Sequence, residues 1–310
     1  MKLPIHTPYK NGEGGVKVGL EPIKDSDWLE IDDLLDSEIE LKKELYDSHF
    51  NDIHQEVKES FESQVELLDV LKTHLEQYHP NHKITSGADS SPLKNATLMV
   101  QEDLVLMIPR GEEYFLGAAS LCAPSNWSLK EKFKSSLIGL HVHVPTYEKK
   151  IGSRVNSLFN NLPMERIFQR FNWSVYEDPK LFQPASSKSQ IERSRTITED
   201  NAGDRLFIRV ERQTIRRLPE TKAIVFTIRV HVNPLLSIKK DLSLLTDFNQ
   251  ALENLTTDMK RYKSIDQIEM PLKGWLAKGI RKLSYFPICF LRKFSVYSKN
   301  CRLFIFRVKK

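Results

Sequence analysis

The distribution of apolar residues divides this chain into a helical N-terminal part and a later part rich in strands. Apolar residues recur at helical spacing over 34–46, 51–77, 149–162, 165–171 and 242–259, and a short helix is expected at 129–133. Short apolar runs between turn residues predict strands at 97–100, 104–108, 114–122 and 138–144, and a long hairpin over 205–232. Helices followed by several strands predict an α+β fold, with an antiparallel sheet, an N-terminal helical region and flanking helices.

The predicted hairpin is dense in arginine. Its first strand alternates Arg209 and Glu211 with Arg212, and its second strand places Arg229 and His231 opposite an apolar face. Successive side chains of a strand point to opposite faces, so Arg209 and Arg212 are expected on different sides of the sheet. Two interpretations are open. The arginines either bind the carboxylates of an anionic group through their guanidinium forks, or form a ladder of ion pairs on a solvated face.

A second candidate site lies in the segment 137–147, LIGLHVHVPTY. His141 and His143 are two residues apart in the predicted strand and therefore leave the same face of the sheet, as does Gly139. A neutral imidazole on such a face is a suitable metal ligand, and His141 is the best single candidate. Two other interpretations remain. Both histidines lie on a solvated face, or His141, His143 and His231 together hold a metal ion, as cupin-type iron and carbonic-anhydrase-type zinc sites do.

Composition and charge narrow the classes of function. Hydrophobic residues make up 40% and charged residues 28% of the 310 residues, which is typical of a globular protein with a large core. The net charge is +5, but residues 281–310 contain nine Lys and Arg and no Asp or Glu, so residues 1–280 have a net charge of −4. No nucleic-acid partner is therefore expected. The basic, aromatic tail suits peripheral contact with an anionic membrane; an atypical terminus without a role is the other interpretation.

Cysteine content and missing motifs narrow the classes further. Three cysteines without metal-like spacing, no apolar leader segment and no apolar run of eighteen residues predict a cytoplasmic protein that does not span a membrane. The sequence contains no glycine-rich nucleotide loop and no paired CxxC motif. An oxidation that uses dioxygen would therefore need electrons from a separate reductase.

An ordered set of short motifs also resembles one known family. The motifs are Trp28–Asp32, Val100–Leu104, Pro124–Trp127 with Glu131 and Lys132, Leu140–Pro145, Arg170–Ser174, Arg209–Thr214 with Arg216–Pro219, and Phe226–Arg229. In order and spacing they resemble the haem-dependent oxidative N-demethylases, best known through the haem subunit of bacterial dimethylamine monooxygenases. Where that family usually has Ile-His-x-Pro-Val-Pro, this chain has His143 in place of the first proline.

The resemblance implies a PAS-like haem-binding domain over residues 25–265. An irregular N-terminal arm, 1–24, precedes this domain, and a basic, aromatic C-terminal tail, 266–310, follows it. The implied reaction is oxygen-dependent removal of a methyl group from a small amine such as dimethylamine, with release of formaldehyde. A haem-binding PAS-like sensor or interaction module without turnover is the first alternative. A non-haem metal enzyme that uses His141, His143 and His231 is the second.

Roles for individual residues follow from the resemblance and from the arginine-rich hairpin that lies inside the matching region. The cofactor is expected to be haem b, with His141 as the iron ligand and His231 as the runner-up. The propionate partners are expected among Arg209, Arg212 and Arg229, but not all three, since Arg209 and Arg212 lie on opposite faces. Glu211 and Arg216 are expected to line the pocket, where a buried Glu211 carboxylate binds the ammonium group of the substrate.

Overall fold

The structure, a computed structural model, describes residues 3–14, 19–82, 89–111, 113–140, 157–184 and 192–295, with side chains through residue 284 except at 137 and 138. The strands are β1 (Glu21–Ile23), β2 (His54–Glu56), β3 (Asp103–Arg110), β4 (Glu113–Ser120), β5 (Ile167–Tyr176), β6 (Phe207–Arg217) and β7 (Ile224–Pro234). They form one antiparallel sheet in the order β1-β5-β6-β7-β3-β4-β2.

Helices lie before, between and after the strands. They are α1 (Leu35–Ser48), α2 (Phe50–Ile53), α3 (Phe61–Tyr78), α4 (Pro92–Thr97), α5 (Leu129–Lys132), α6 (Leu137–Leu140), α7 (Ala202–Arg205), α8 (Leu242–Glu253), α9 (Thr257–Tyr262) and α10 (Glu269–Ser295). Short 3₁₀ turns occur at Lys10–Gly12, Asp25–Asp27, Lys58–Ser60 and Leu235–Ile238. The predicted α+β class, with a seven-stranded antiparallel sheet and flanking helices, is confirmed.

The hairpin β6–β7 lies in the middle of the sheet, and its register defines two faces. Glu211 pairs with Val230 on one side and Asn172 on the other, while the next residue, Arg212, pairs with Arg229. Directly paired residues point to the same side of a sheet, so the alternation predicted from the sequence is confirmed. The Glu211 face carries Arg170, Asn172, Arg209, Glu211, Gln213, Phe226 and Ile228, and the Arg212 face carries Gln169, Phe171, Arg212, Arg216, Arg229 and His231.

Apolar contacts cover both faces of the sheet. On the Arg212 face, residues of α8 and α10 share one buried cluster with Ile208 and Val210, and residues of α3 and α4 share another with Leu104 and Val225. On the Glu211 face the chain between β4 and β5 supplies the cover, as buried Phe159 belongs to the same cluster as residues of β3, β6 and β7.

Several predicted elements are confirmed. α1, α5, β3, β4 and the hairpin lie where the apolar pattern placed them. The helix predicted over 242–259 is divided, since α8 ends at Glu253 and a new helix, α9, begins at Thr257. The Thr256 hydroxyl accepts a hydrogen bond from the Met259 N–H at 3.3 Å and so caps α9.

Other predicted elements are wrong. The segment 165–171 is not helical, because β5 pairs with β1 on one side and β6 on the other and these neighbours satisfy its backbone. Residues 97–100 are not a strand: Thr97 is the last residue of α4 and 98–100 follow that helix, whose start is set by the Ser91 cap and by Pro92. The helix predicted from 51 begins only at Phe61, after α2 and β2.

The segment with the two candidate histidines is only partly described. The strand predicted over 138–144 is wrong for its first residues, since Leu137–Leu140 is helical, and 141–144 lie outside the described residues. Of the helix predicted over 149–162, only the part from 157 is described, and residues 157–160 are helical.

Both ends of the chain are more regular than the pattern indicated. The arm contributes β1 to the sheet edge and buries Tyr9, whose ring centroid lies 4.7 Å from that of Phe248. No regular period was predicted for 281–310, but α10 continues through Ser295, and its Leu272 and Leu276 are buried in the core. In the described part of the chain, no helix is long and apolar enough to cross a membrane.

Candidate functional site

A buried carboxylate lies at the centre of the Glu211 face. The Ser125 hydroxyl donates a short hydrogen bond to Glu211 Oε1. The Asn172 and Gln213 amides donate to Oε2 at 3.3 and 2.9 Å. The three donors come from β5, β6 and the loop after β4, so three separate parts of the fold determine where this carboxylate points. An ionised carboxylate can only accept hydrogen bonds, and all three neighbouring side chains donate to it.

Lys263 orients one of these donors. Its Nζ donates to Asn172 Oδ1 at 2.7 Å and to the backbone oxygen of Trp173. With Oδ1 held by an ammonium group, the amide nitrogen of Asn172 points to Glu211. Burial lowers the pKa of Lys263 to about 8; the nearby Arg170 lowers it as well, while the charge of Glu211 opposes the shift. Lys263 follows α9 directly, and no sequence motif indicated it.

Arg209 positions the loop that carries Ser125. Its Nε donates to Ser125 Oγ at 3.0 Å, and Nη2 donates to the backbone oxygens of Ala123 at 2.8 Å and Leu181 at 3.0 Å. Nη1 donates to the Lys180 oxygen at 3.2 Å. Arg209 is 1% exposed, so its guanidinium fixes two loops from inside the protein.

Asn126 is the next polar residue along that loop. Its backbone is left-handed, with φ 57°, and its N–H donates to the Gln183 oxygen at 2.9 Å. Both side-chain amide atoms are buried, and they have no hydrogen-bond partner among the described residues. Buried amides in proteins are normally paired, so this group marks a place where a further hydrogen-bond partner belongs.

Apolar side chains border the polar centre. Phe168, Phe226 and Ile228 lie on the Glu211 face and remain only half-buried, although their strands are inside the sheet. Trp127 and Leu140 pack against the same apolar cluster from the covering segment. The face therefore combines a flat apolar wall with a carboxylate and its donors.

The arginines of the Arg212 face bind the N-terminal segment. Arg212 donates to the backbone oxygens of Trp28, at 3.1 Å, and Asp27, and to Gln169 Oε1 at 3.0 Å. Arg229 forms ion pairs of 2.8 Å with both Asp32 and Glu38. These guanidiniums hold residues 27–38 against the sheet.

Two further predicted residues lie on this same face. The guanidinium of Arg216 lies 4.3 Å above the Trp28 ring and 3.7 Å from Asp25. His231 Nε2 lies 2.8 Å from Glu30 Oε2. Neither side chain faces Glu211, because both belong to the opposite set of positions in the register.

The two sides of the sheet thus divide the predicted site residues. Arg209 and Glu211 lie on the Glu211 face, whereas Arg212, Arg216, Arg229 and His231 lie on the Arg212 face. One cofactor in contact with a single face meets only one of these sets. His141 and His143 lie outside the described residues; the residue before them, Leu140, packs on the Glu211 face.

Sequence reasoning missed Ser125, Asn126, Asn172 and Lys263 as site residues. The first three lie in the motif segments that carried the family resemblance. The sequence therefore marked these segments, but it did not indicate which of their side chains point toward Glu211. Residues 19–273 of the chain match the family model described as haem-dependent oxidative N-demethylase, alpha subunit-like. The match extends from the N-terminal arm into α10, and the chain therefore belongs to the haem-dependent oxidative N-demethylase alpha-subunit-like family, whose name implies haem and further subunits.

Proposed function

We propose that this chain binds haem b against the Glu211 face and oxidatively demethylates a small methylated amine there. The observation that carries the proposal is the buried Glu211 carboxylate, held by three donors on the face against which Leu140 packs, directly before His141. A methylated amine is an ammonium cation at neutral pH. A fixed, desolvated carboxylate is a suitable partner for that cation.

The residues of this face fit a haem. The half-buried Phe168, Phe226 and Ile228 suit a flat apolar ring. The buried amide of Asn126, which has no partner among the described residues, suits a polar substituent or ligand beside it. His141 is the proposed iron ligand. When bound, the haem supplies the activation of dioxygen that oxidation of a methyl carbon requires.

The propionate partners are also a proposal. Of the three arginines expected from the sequence, Arg209 shares the face of Glu211, and Arg170 adds a second, half-buried guanidinium on that face. Arg212 and Arg229 face away from it and hold the N-terminal segment instead. Arg209 is 1% exposed, and its guanidinium nitrogens already donate to Ser125 and to backbone oxygens of two loops. The half-buried Arg170 is therefore the better candidate for a propionate on this face.

The protein's own groups bind and orient the substrate. The Glu211 carboxylate accepts a hydrogen bond from the substrate ammonium, which directs an N-methyl group away from the polar centre and toward the apolar wall. Asn172, with its amide orientation set by Lys263, keeps the carboxylate in that position. Overall, the amine, dioxygen, two electrons and two protons give the demethylated amine, formaldehyde and water. The electrons come from a separate reductase, which agrees with the additional subunits that the family name implies.

We also propose that the fold is PAS-like and that the protein is cytoplasmic. Counted along the chain from β3, the central five strands lie in the spatial order 2-1-5-4-3, with the covering helical segment inserted between the second and third. This arrangement supports the PAS-like assignment. A buried free thiol at Cys122 agrees with a reducing compartment.

The proposal is tested with purified protein reconstituted with hemin. A Soret band is expected, and the band should be lost or shifted in His141→Ala but kept in His231→Ala. With a reductant, the protein should release formaldehyde from dimethylamine. Glu211→Gln should retain the Soret band and lower formaldehyde release by about tenfold to hundredfold, because the charge-assisted bond to the ammonium is lost. Glu220→Gln, an exposed change in the hairpin turn, is the matched control.

Three results would contradict the proposal. Absence of a Soret band would exclude haem. Loss of the band in His231→Ala instead of His141→Ala would place the iron on the Arg212 face. Binding of carbon monoxide without formaldehyde from any methylamine would favour the sensor alternative.

A further inference from the structure

A cluster of three potential metal ligands lies on the Arg212 face, away from Glu211. His6 Nε2 lies 2.7 Å from Glu30 Oε1, and His231 Nε2 lies 2.8 Å from Glu30 Oε2. One ligand atom from each residue can be chosen so that all three lie within 4.8 Å of one another. Ligand atoms bound to one tetrahedral Zn²⁺ at about 2.1 Å are separated by about 3.4 Å, so small side-chain movements would close the site.

Two of the three residues are held by rigid structure. His231 belongs to β7 in the interior of the sheet. Glu30 lies in a segment whose backbone is pinned, since its N–H donates to Glu102 Oε1 at 2.9 Å. Buried Trp28 and Leu29 precede it. A metal site needs ligands that are positioned before the ion arrives, and these two meet that condition.

The third residue comes from the N-terminal arm. The ring centroid of His6 lies 4.9 Å from that of Phe171 and 5.1 Å from that of His231. Farther along, the arm is anchored by Trp173 Nε1, which donates to the Glu13 oxygen at 3.2 Å. An ion at this cluster would therefore join the arm to the centre of the sheet.

Charge and access suit a cation. The Glu30 carboxylate faces both imidazoles and can supply the negative charge that a bound cation needs. Arg212 Nε is 3.5 Å from Glu30 Oε1, yet Arg212 keeps its carbonyl and amide partners if Glu30 turns to a metal. The His6, Glu30 and His231 side chains are 19%, 25% and 10% exposed, so an ion can enter from solvent.

We propose that His6, Glu30 and His231 form a binding site for one divalent transition metal ion, of which Zn²⁺ is the representative probe. Two imidazole nitrogens and one carboxylate oxygen are ligands that zinc prefers, and they leave a fourth position for water. Nitrogen donors select against Ca²⁺ and Mg²⁺. The ion fastens the arm across the Arg212 face, on the side of the sheet opposite Glu211.

The site is tested by equilibrium dialysis and calorimetry with ZnCl₂. The full-length, hemin-loaded protein is first freed of metal by a chelator. One equivalent of Zn²⁺ should bind, and His6→Gln, Glu30→Gln and His231→Gln should each weaken binding by about tenfold or more. His49→Gln, an exposed histidine on α1's C-terminal side, is the matched control and should bind Zn²⁺ like the original protein.

The proposal is overturned by either of two results. One is the absence of stoichiometric zinc binding. The other is zinc binding that none of the three changes weakens, which would place the ion elsewhere. His6→Gln alters only the arm, so it remains informative if Glu30→Gln or His231→Gln impairs folding; circular dichroism identifies such variants. The Soret band reports separately on haem, and its presence or absence has no bearing on the outcome for zinc.

Discussion

Arg229→Met should destabilise the protein strongly while leaving haem binding intact. Arg229 is 1% exposed and forms 2.8 Å ion pairs with Asp32 and Glu38, and Glu38 is itself 8% exposed. Removing one partner of a buried ion pair leaves the other charge without compensation, at a cost of about 3–5 kcal/mol in the free energy of unfolding. At about 2 °C per kcal/mol for a chain of this size, thermal unfolding should occur about 6–10 °C lower.

The assay is urea unfolding followed by circular dichroism, with the Soret band recorded at low temperature. Glu38→Met in the Arg229→Met background should recover about 1 kcal/mol or more, because the orphaned carboxylate is removed as well. Arg261→Met is the matched control. Its ion pair with Asp258 is 3.8 Å long and both side chains are about 70% exposed, so the change should cost no more than about 0.5 kcal/mol. A stable Arg229→Met protein that fails to hold haem would refute the reasoning and make Arg229 a propionate partner.

Three further changes test other parts of the structure. Ser125→Ala should cost about 1–3 kcal/mol in urea unfolding and weaken dimethylamine binding, because Arg209 and Glu211 each lose a buried partner; unchanged stability would contradict this. Burial lowers the pKa of Lys263 from 10.5 to about 8, so between pH 8 and 10.5 the unfolded chain binds more protons than the folded protein. The free energy of unfolding, measured relative to that of Lys263→Met, should therefore rise from pH 8 to 10.5. A difference between the two proteins that does not change with pH would argue against the low pKa. A chain truncated after Gly279 should keep its Soret band and lose binding to acidic liposomes, as expected if the basic tail lies outside the haem domain; failure to fold would make the rest of α10 part of that domain.

The local sequence determined the elements whose pattern needs no distant partner. α1 is set by its helical apolar spacing, and the β6–β7 hairpin by alternation around the turn at Pro219. Alternation alone also placed Arg209 and Arg212 on opposite faces, because the period of a strand is two whatever surrounds it. The motif order was sufficient to indicate the family.

Tertiary contacts decided the rest. The start of β5 has a pattern that fits a helix, but it forms a strand because β1 and β6 supply its backbone hydrogen-bond partners. β1 precedes β5 by roughly 140 residues, and β6 follows it by roughly 40. Whether an arginine binds a cofactor or a protein group depends on which distant segment packs against it. Residues 27–38 pack against Arg212 and Arg229 and supply their hydrogen-bond and ion-pair partners. Lys263 reaches Asn172, and His6 reaches His231, only after the chain has folded, since no local period relates residues so far apart in sequence.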